Sequence, residues 1–172
     1  MRENNRQRKT QQRVKRKVGK IEKLLSNEAI RNTKNEFLEK FMICETACKA
    51  IISDYNKGKA KKVADRDIKL HMAVIEAAVK YAGYSIAKET LAAVFGSSEK
   101  RNAKSCKKLR DGIVHSMSAE DIQEVVNRCP LLFSEMQVFL DCIHNAPTTQ
   151  TTKISKVKTK QPAKRLPEPE VA

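Results

Sequence analysis

The sequence contains few of the residues that build β-sheets and tight turns. Among its 172 residues there is no tryptophan, glycine and proline number five each, and aromatic residues make up 5%. β-branched residues form no alternating runs of the kind that predicts strands. No segment approaches the roughly 18 uninterrupted apolar residues of a membrane span, and no apolar stretch follows the charged N-terminus as it would in a secretory signal. The sequence therefore predicts a soluble, cytoplasmic protein of the all-α class.

Metal-binding and cofactor-binding patterns are also missing. The five cysteines include no CxxC pair, and the three histidines are scattered and complete no zinc-ligand spacing. Because most of the cysteines fall at apolar helical positions, we expect reduced thiols in the core. There is no glycine-rich phosphate loop, HExxH motif or internal repeat. We therefore expect no metal ion and no cofactor.

The chain is strongly basic, and the charge lies mainly at its two ends. The net charge is +15, with ten basic and two acidic residues in 1–23 and six basic and two acidic residues in 146–172. Such ends favour a sequence-independent attraction to phosphate that salt weakens. A merely solvated surface is the alternative, because neither end has aromatic residues for stacking on bases. Residues 146–172, rich in Thr, Lys and Pro, are predicted to form a disordered basic tail.

Apolar residues recur at helical spacing through the rest of the chain. Residues 1–32 are predicted to form a basic, partly helical N-terminal arm whose apolar seam packs on the body or pairs with a partner as a coiled coil. The seam consists of Val14, Val18, Ile21 and Leu25. Residues 33–145 are predicted to form an up-and-down bundle of four main helices. Pro130 is expected to kink the last helix or to begin a new one.

The six-residue sequence RDGIVH carries the side chains best suited to chemistry, Arg110 and His115, at its two ends. On an unbroken helix these side chains would lie about 140° apart and would not share a face. However, Gly112 is a poor helix residue, and the sequence SAED from Ser118 to Asp121 has the form of a capping box that opens the next helix. We therefore expect a helix break that brings Arg110 and His115 to one rim.

The segment LRDGIVHSMSAEDIQEVVNR and its helical frame, roughly residues 33 to 143, resemble the HEPN superfamily. Members carry an arginine, a polar residue, a few mostly apolar positions and a histidine, followed by a final helix that begins with acidic residues. The resemblance implies a metal-independent endoribonuclease of a toxin, antiviral-defence or RNA-processing system. It also implies a homodimer in which two such motifs face one cleft, and a protein antitoxin or regulator as a further partner. One branch of the family has tyrosine two residues after the histidine, where this chain has Met117.

The residues that match the family motif are the expected catalytic residues. Arg110 matches the arginine, Asp111 the polar position and His115 the histidine. An imidazole has an ordinary pKa of about 6.5, so His115 would take the proton of the RNA 2′-hydroxyl. The permanently charged fork of Arg110 would hold the phosphate while charge develops on it. Asp111 would orient one of these groups, or would be a surface acid at a helix end.

A dense basic stretch leads to Arg110 and is predicted to lie along one helix face that contacts the RNA backbone. A solvated helix face is the alternative. The stretch consists of Lys100, Arg101, Lys104, Lys107 and Lys108. If Arg110 and His115 are only structural, the chain is instead a non-catalytic HEPN-like protein that binds nucleic acid or acts as an assembly scaffold.

Overall fold

The computed structural model describes residues 2–59, 63–64, 67–96 and 103–145, with side chains described from Thr10 onward. Six α-helices and no strand occur in these residues, which confirms the all-α class. The helices are α1 (Arg2–Leu25), α2 (Glu28–Gly58), α3 (Met72–Tyr81), α4 (Lys88–Phe95), α5 (Cys106–Ser116) and α6 (Ala119–His144). None of the helices in the described ranges is long and apolar enough to cross a bilayer. The tail predicted for residues 146–172 lies outside these ranges.

The long helix α2 begins at a local capping signal. The Asn27 side chain accepts a hydrogen bond from the backbone N–H of Ile30 over 3.3 Å, which satisfies one of the free donors of the first turn. Consequently α2 begins at Glu28, ahead of the boundary at residue 33 that apolar spacing indicated.

A chain of buried aromatic rings joins α2, α4 and α6. The ring centroids of Phe41 and Phe95 are 6.0 Å apart, and those of Phe95 and Phe139 are 5.1 Å apart in an edge-on arrangement. All three side chains are buried. Burial of one such side chain contributes about 1.5–3 kcal/mol, so these contacts hold the three helices together.

The helix directions do not alternate as an up-and-down bundle requires. Met72 at the start of α3 lines the same cavity as Glu45, whereas Tyr81 at the end of α3 packs edge-on against Tyr55, with ring centroids 5.4 Å apart. The start of α3 therefore lies beside the middle of α2, and the end of α3 lies beside the end of α2. The two helices run in the same general direction. The prediction of strict alternation is wrong for this pair.

The helix α5 is continuous through Gly112, so the predicted break between Arg110 and His115 is wrong. Its chain direction changes only after Ser116, at Met117, whose φ of 44° lies in the left-handed region. A Cβ atom on Gly112 would collide with the carboxylate of Asp121. The glycine therefore serves the close approach of α5 and α6 and does not end a helix.

The last helix begins where the sequence predicted and continues past Pro130. The Ser118 hydroxyl accepts a hydrogen bond from the backbone N–H of Asp121 over 3.2 Å, which confirms the predicted start. Pro130 lies inside α6, which runs as one helix from Ala119 to His144. No new helix begins at the proline.

Candidate functional site

Arg110 is held in a fixed position by two carboxylates and an aromatic ring. Its Nη2 donates to Oε2 of Glu45 over 2.6 Å, and its Nη1 lies 2.8 Å from Oδ1 of Asp111. The guanidinium carbon is 5.2 Å from the centre of the Phe41 ring, a cation-π distance. The side chains of Arg110 and Glu45 are each 19% exposed. These contacts therefore hold the guanidinium in one orientation on a side chain that is still partly accessible to solvent.

The ion pairs around Arg110 extend on both sides into a chain of alternating charges. Lys49 Nζ lies 2.9 Å from Oε1 of Glu45, and Lys107 Nζ lies 3.2 Å from Oδ2 of Asp111. Glu45 and Lys49 were missed by the sequence analysis. The only local signal for them was a Glu-to-Lys spacing of four on a helix, which is common on solvated surfaces.

His115 is exposed in the last turn of α5 and makes no hydrogen bond or ion pair with the described residues. Since α5 is unbroken, its side chain projects about 140° around the helix from that of Arg110. The expected convergence of Arg110 and His115 within one chain is therefore wrong. Val114 and Met117, both exposed, flank His115 and give that end of α5 an apolar rim.

Asp111 contacts the guanidinium of Arg110 and the ammonium of Lys107. Of the two orienting roles predicted for Asp111, the geometry matches the one toward Arg110. The side chain of Asp111 is 36% exposed, so it also borders solvent.

The predicted basic face of α5 is not formed as expected. Lys104 precedes the helix, because α5 begins at Cys106 after Ser105, whose side chain accepts from the backbone N–H of Lys108. The Lys104 ammonium forms an ion pair with Asp121, which is only 6% exposed. The hydrogen bond to Asp121 raises the pKa of Lys104 above its ordinary value.

The other residues of that basic stretch differ in their surroundings. Lys107 is paired with Asp111, and Lys108 is exposed without an ion pair in the described part of the chain. Lys100 and Arg101 lie outside the described residues. Of the stretch, Lys107 and Lys108 are therefore the residues that α5 presents next to Arg110.

A cavity of about 410 Å³, lined by both charged and apolar side chains, lies beside Arg110, between α2, α5 and the segment that leads into α3. Its polar lining includes Glu45, Lys107, Arg110, Lys69 and His71. The structure thus places His71, and not His115, in the same cavity as Arg110. His71 occupies the N-cap position of α3, and its side chain is exposed.

The apolar seam of α1 is divided between the bundle and solvent. Ile21 and Leu25 pack against the core, whereas Val14 and Val18 are 54% and 48% exposed. The Lys20 ammonium reaches Oε1 of Glu120 on α6 over 2.5 Å, and this hydrogen bond lowers the pKa of Glu120. Among the described side chains of α1, those near its C-terminal end therefore attach the helix to the bundle.

The described residues contain no group of three His, Cys, Asp or Glu side chains suited to a metal ion. All five cysteines are free, and Cys44, Cys48 and Cys106 are buried, which confirms reduced core thiols at these three positions. Burial raises the pKa of each of the three to about 12. These thiols are therefore protonated and unreactive at neutral pH.

No family model, no curated protein and no solved structure matches this chain.

Proposed function

We propose that this chain is a metal-independent endoribonuclease of the HEPN type that acts as a homodimer. The observation that carries the proposal is the oriented guanidinium of Arg110, whose partly exposed side chain lines a cavity together with Lys107. A guanidinium has five N–H groups, so donors remain for phosphate oxygens after the contacts with Glu45 and Asp111.

The homodimer is part of the proposal because one chain does not bring Arg110 and His115 together. The two side chains project from different sides of α5, and each is accessible to a second molecule. A second copy contacting the Val114 and Met117 rim would add its own histidine to the cleft of the first. The active site would thus be composite.

The proposed reaction needs no metal ion. The imidazole of His115 takes the proton of the RNA 2′-hydroxyl, and the 2′ oxygen then attacks the adjacent phosphorus. The bond from phosphorus to the 5′ oxygen breaks, and that oxygen takes up a proton. Arg110 stabilises the charge that builds on the phosphate, with its fork held in place by Glu45 and Asp111. The products are a 2′,3′-cyclic phosphate and a 5′-hydroxyl.

Several wider expectations belong to the same proposal. The basic arm would hold RNA without sequence preference, and the setting would be a cytoplasmic toxin, antiviral or RNA-processing system with a protein regulator. The exposed side chains from Thr10 to Lys17 on α1 support a role of this arm in binding.

One observation favours the second candidate, a non-catalytic helical protein that binds nucleic acid or serves as a scaffold. Arg110 is already neutralised by two carboxylates, which is also the arrangement of a structural ion pair between helices. In that case His115 would be an ordinary surface histidine.

Cleavage in the presence of EDTA separates the two candidates. A mixed RNA pool would be incubated with wild type, His115→Ala and His144→Ala, each at matched concentration and with the product ends identified. His144 is an exposed histidine at the end of α6 and provides the matched control. The proposal predicts cyclic phosphate ends with wild type and His144→Ala, and their loss with His115→Ala. Equal cleavage by all three, or none, would favour the non-catalytic protein.

A further inference from the structure

The cavity beside Arg110 brings basic side chains together from two distant parts of the sequence. Arg110 and Lys107 belong to α5, whereas Lys69 and His71 belong to the segment that enters α3. The volume of about 410 Å³ lies in the range of pockets that hold small ligands. The cavity therefore has the size and the donors for an anionic group.

The start of α3 adds a further attraction for an anion. His71 occupies the N-cap position without a side-chain hydrogen bond to the helix, and the first turn of α3 contains no acidic residue. The first turn of α3 thus contributes the positive end of the helix dipole, although its Val74 N–H already donates to the carbonyl oxygen of His71. Met72, the first residue of α3, lines the cavity, so this helix end faces it.

The two carboxylates of the cavity do not cancel its positive charge. Glu45 is paired with Arg110 and Lys49, and Asp111 is paired with Arg110 and Lys107. Of the residues that line the cavity, Lys69, Lys107 and Arg110 are permanent cations against these two carboxylates, so the lining keeps a net charge of +1. A phosphate group can therefore enter without meeting an unpaired carboxylate.

We propose that this cavity is a phosphate-binding subsite for RNA, in which Lys69, His71 and Lys107 contact a backbone phosphate next to the one that Arg110 holds. The inference rests on the proposed function and names a binding site within it. His71 is a binding residue in this subsite: it lines the cavity together with Arg110, whereas His115 does not.

The three histidines of the chain allow this subsite to be tested without any cleavage. Proton NMR would follow the imidazole signals of the full-length protein as uridine 3′,5′-bisphosphate is added, with the His71 signal assigned by its loss in His71→Gln. The subsite predicts that the His71 signal moves and saturates, while that of His144 stays fixed. Movement of the His115 signal alone, an equal movement of all three, or no movement would overturn the subsite.

Two charge variants locate the contact. Lys69→Gln and Lys107→Gln are expected to weaken binding of the bisphosphate by about three- to tenfold, because each removes one charged donor on a partly exposed surface. Lys80→Gln removes the same charge from the opposite end of α3 and is expected to leave binding unchanged. Equal effects of all three would indicate general electrostatic attraction and reject the site.

The two proposals can fail separately. RNA cleavage with an unmoved His71 signal would reject the subsite and leave the endoribonuclease standing. A moving His71 signal without RNA cleavage under any condition would support the phosphate site and reject the nuclease.

Discussion

Arg110 and Glu45 are 65 residues apart in the sequence, and Nη2 of Arg110 lies 2.6 Å from Oε2 of Glu45. This contact ties α5 to the middle of α2 and holds the guanidinium over the Phe41 ring. The same carboxylate also pairs with Lys49, so it organises two cations. The orientation of the arginine is therefore a property of the tertiary fold.

Replacement of Glu45 tests this contact. Glu45→Gln is expected to lower the free energy of unfolding by about 1–2 kcal/mol, between the values for exposed and buried ion pairs, because the pair is partly buried. Urea denaturation would measure the change. Glu36→Gln, an exposed acid on the same helix, is the control and should change stability by less than about 0.5 kcal/mol. An unchanged urea midpoint for Glu45→Gln would mean that the ion pair between Glu45 and Arg110 does not stabilise the fold.

Two glycine-to-alanine substitutions should have effects of opposite sign. Gly112→Ala is expected to destabilise the protein by about 1–3 kcal/mol, because the new methyl group meets the Asp121 carboxylate. Gly19→Ala places a methyl group on α1 with no atom within 4 Å and should stabilise the helix by about 0.5–1 kcal/mol. Thermal unfolding of both variants gives the comparison. Stabilisation by Gly112→Ala would contradict the close packing of α5 on α6.

Local sequence patterns predicted the fold class and the start of α6, but not the position of the candidate site. Ser118 carries its own capping hydroxyl, so the start of α6 was predictable. By contrast, position 112 requires a glycine because the side chain of Asp121, nine residues later, packs against it in the folded chain. A glycine that serves packing and a glycine that ends a helix look alike in the sequence.

The same limit applies to the charges and histidines. Lys104 was predicted on a helix face, but Ser105 begins the helix after it and Asp121 binds its ammonium. No spacing rule relates Glu45 or His71 to Arg110, because these contacts depend on the directions of α2 and α3. Helical periodicity gives the faces of helices and leaves their arrangement in space open.

Alkaline pH should destabilise the protein through its buried thiols. The pKa values of Cys44, Cys48 and Cys106 are raised from 9.0 to about 12 in the folded state, so unfolded chains lose these protons first. The stabilisation that the three protonated thiols contribute is fully present below pH 9 and is lost as pH rises from 9 towards 12. Denaturation midpoints across this range would show a steady fall.

Thiol labelling provides the matching test at neutral pH. A disulfide reagent is expected to modify Cys129 and Cys142 first, because both are partly exposed, and the three buried thiols only after unfolding. The variant Cys129→Ser, Cys142→Ser should lose the fast phase. Rapid labelling of all five cysteines in the native protein would contradict the buried thiols.

Removal of the N-terminal part of α1 should weaken RNA binding without unfolding the bundle. Residues 2–17 contain eight basic residues and one acidic residue, and side chains from Thr10 to Lys17 are exposed. Their deletion is expected to flatten the dependence of the RNA dissociation constant on salt, since fewer counterions are released. Fluorescence anisotropy at several salt concentrations and urea unfolding would measure both properties. An unchanged salt dependence would exclude this arm from binding.

Mixing two inactive variants tests the central claim, a composite endoribonuclease site, most directly. Arg110→Gln and His115→Ala would be assayed for RNA cleavage in EDTA alone and after joint refolding in equal amounts, which forms mixed dimers. The account predicts that neither variant cleaves alone and that the mixture regains a substantial fraction of wild-type cleavage with cyclic phosphate ends. A mixture as inactive as its components, or two variants as active as wild type, would contradict the account.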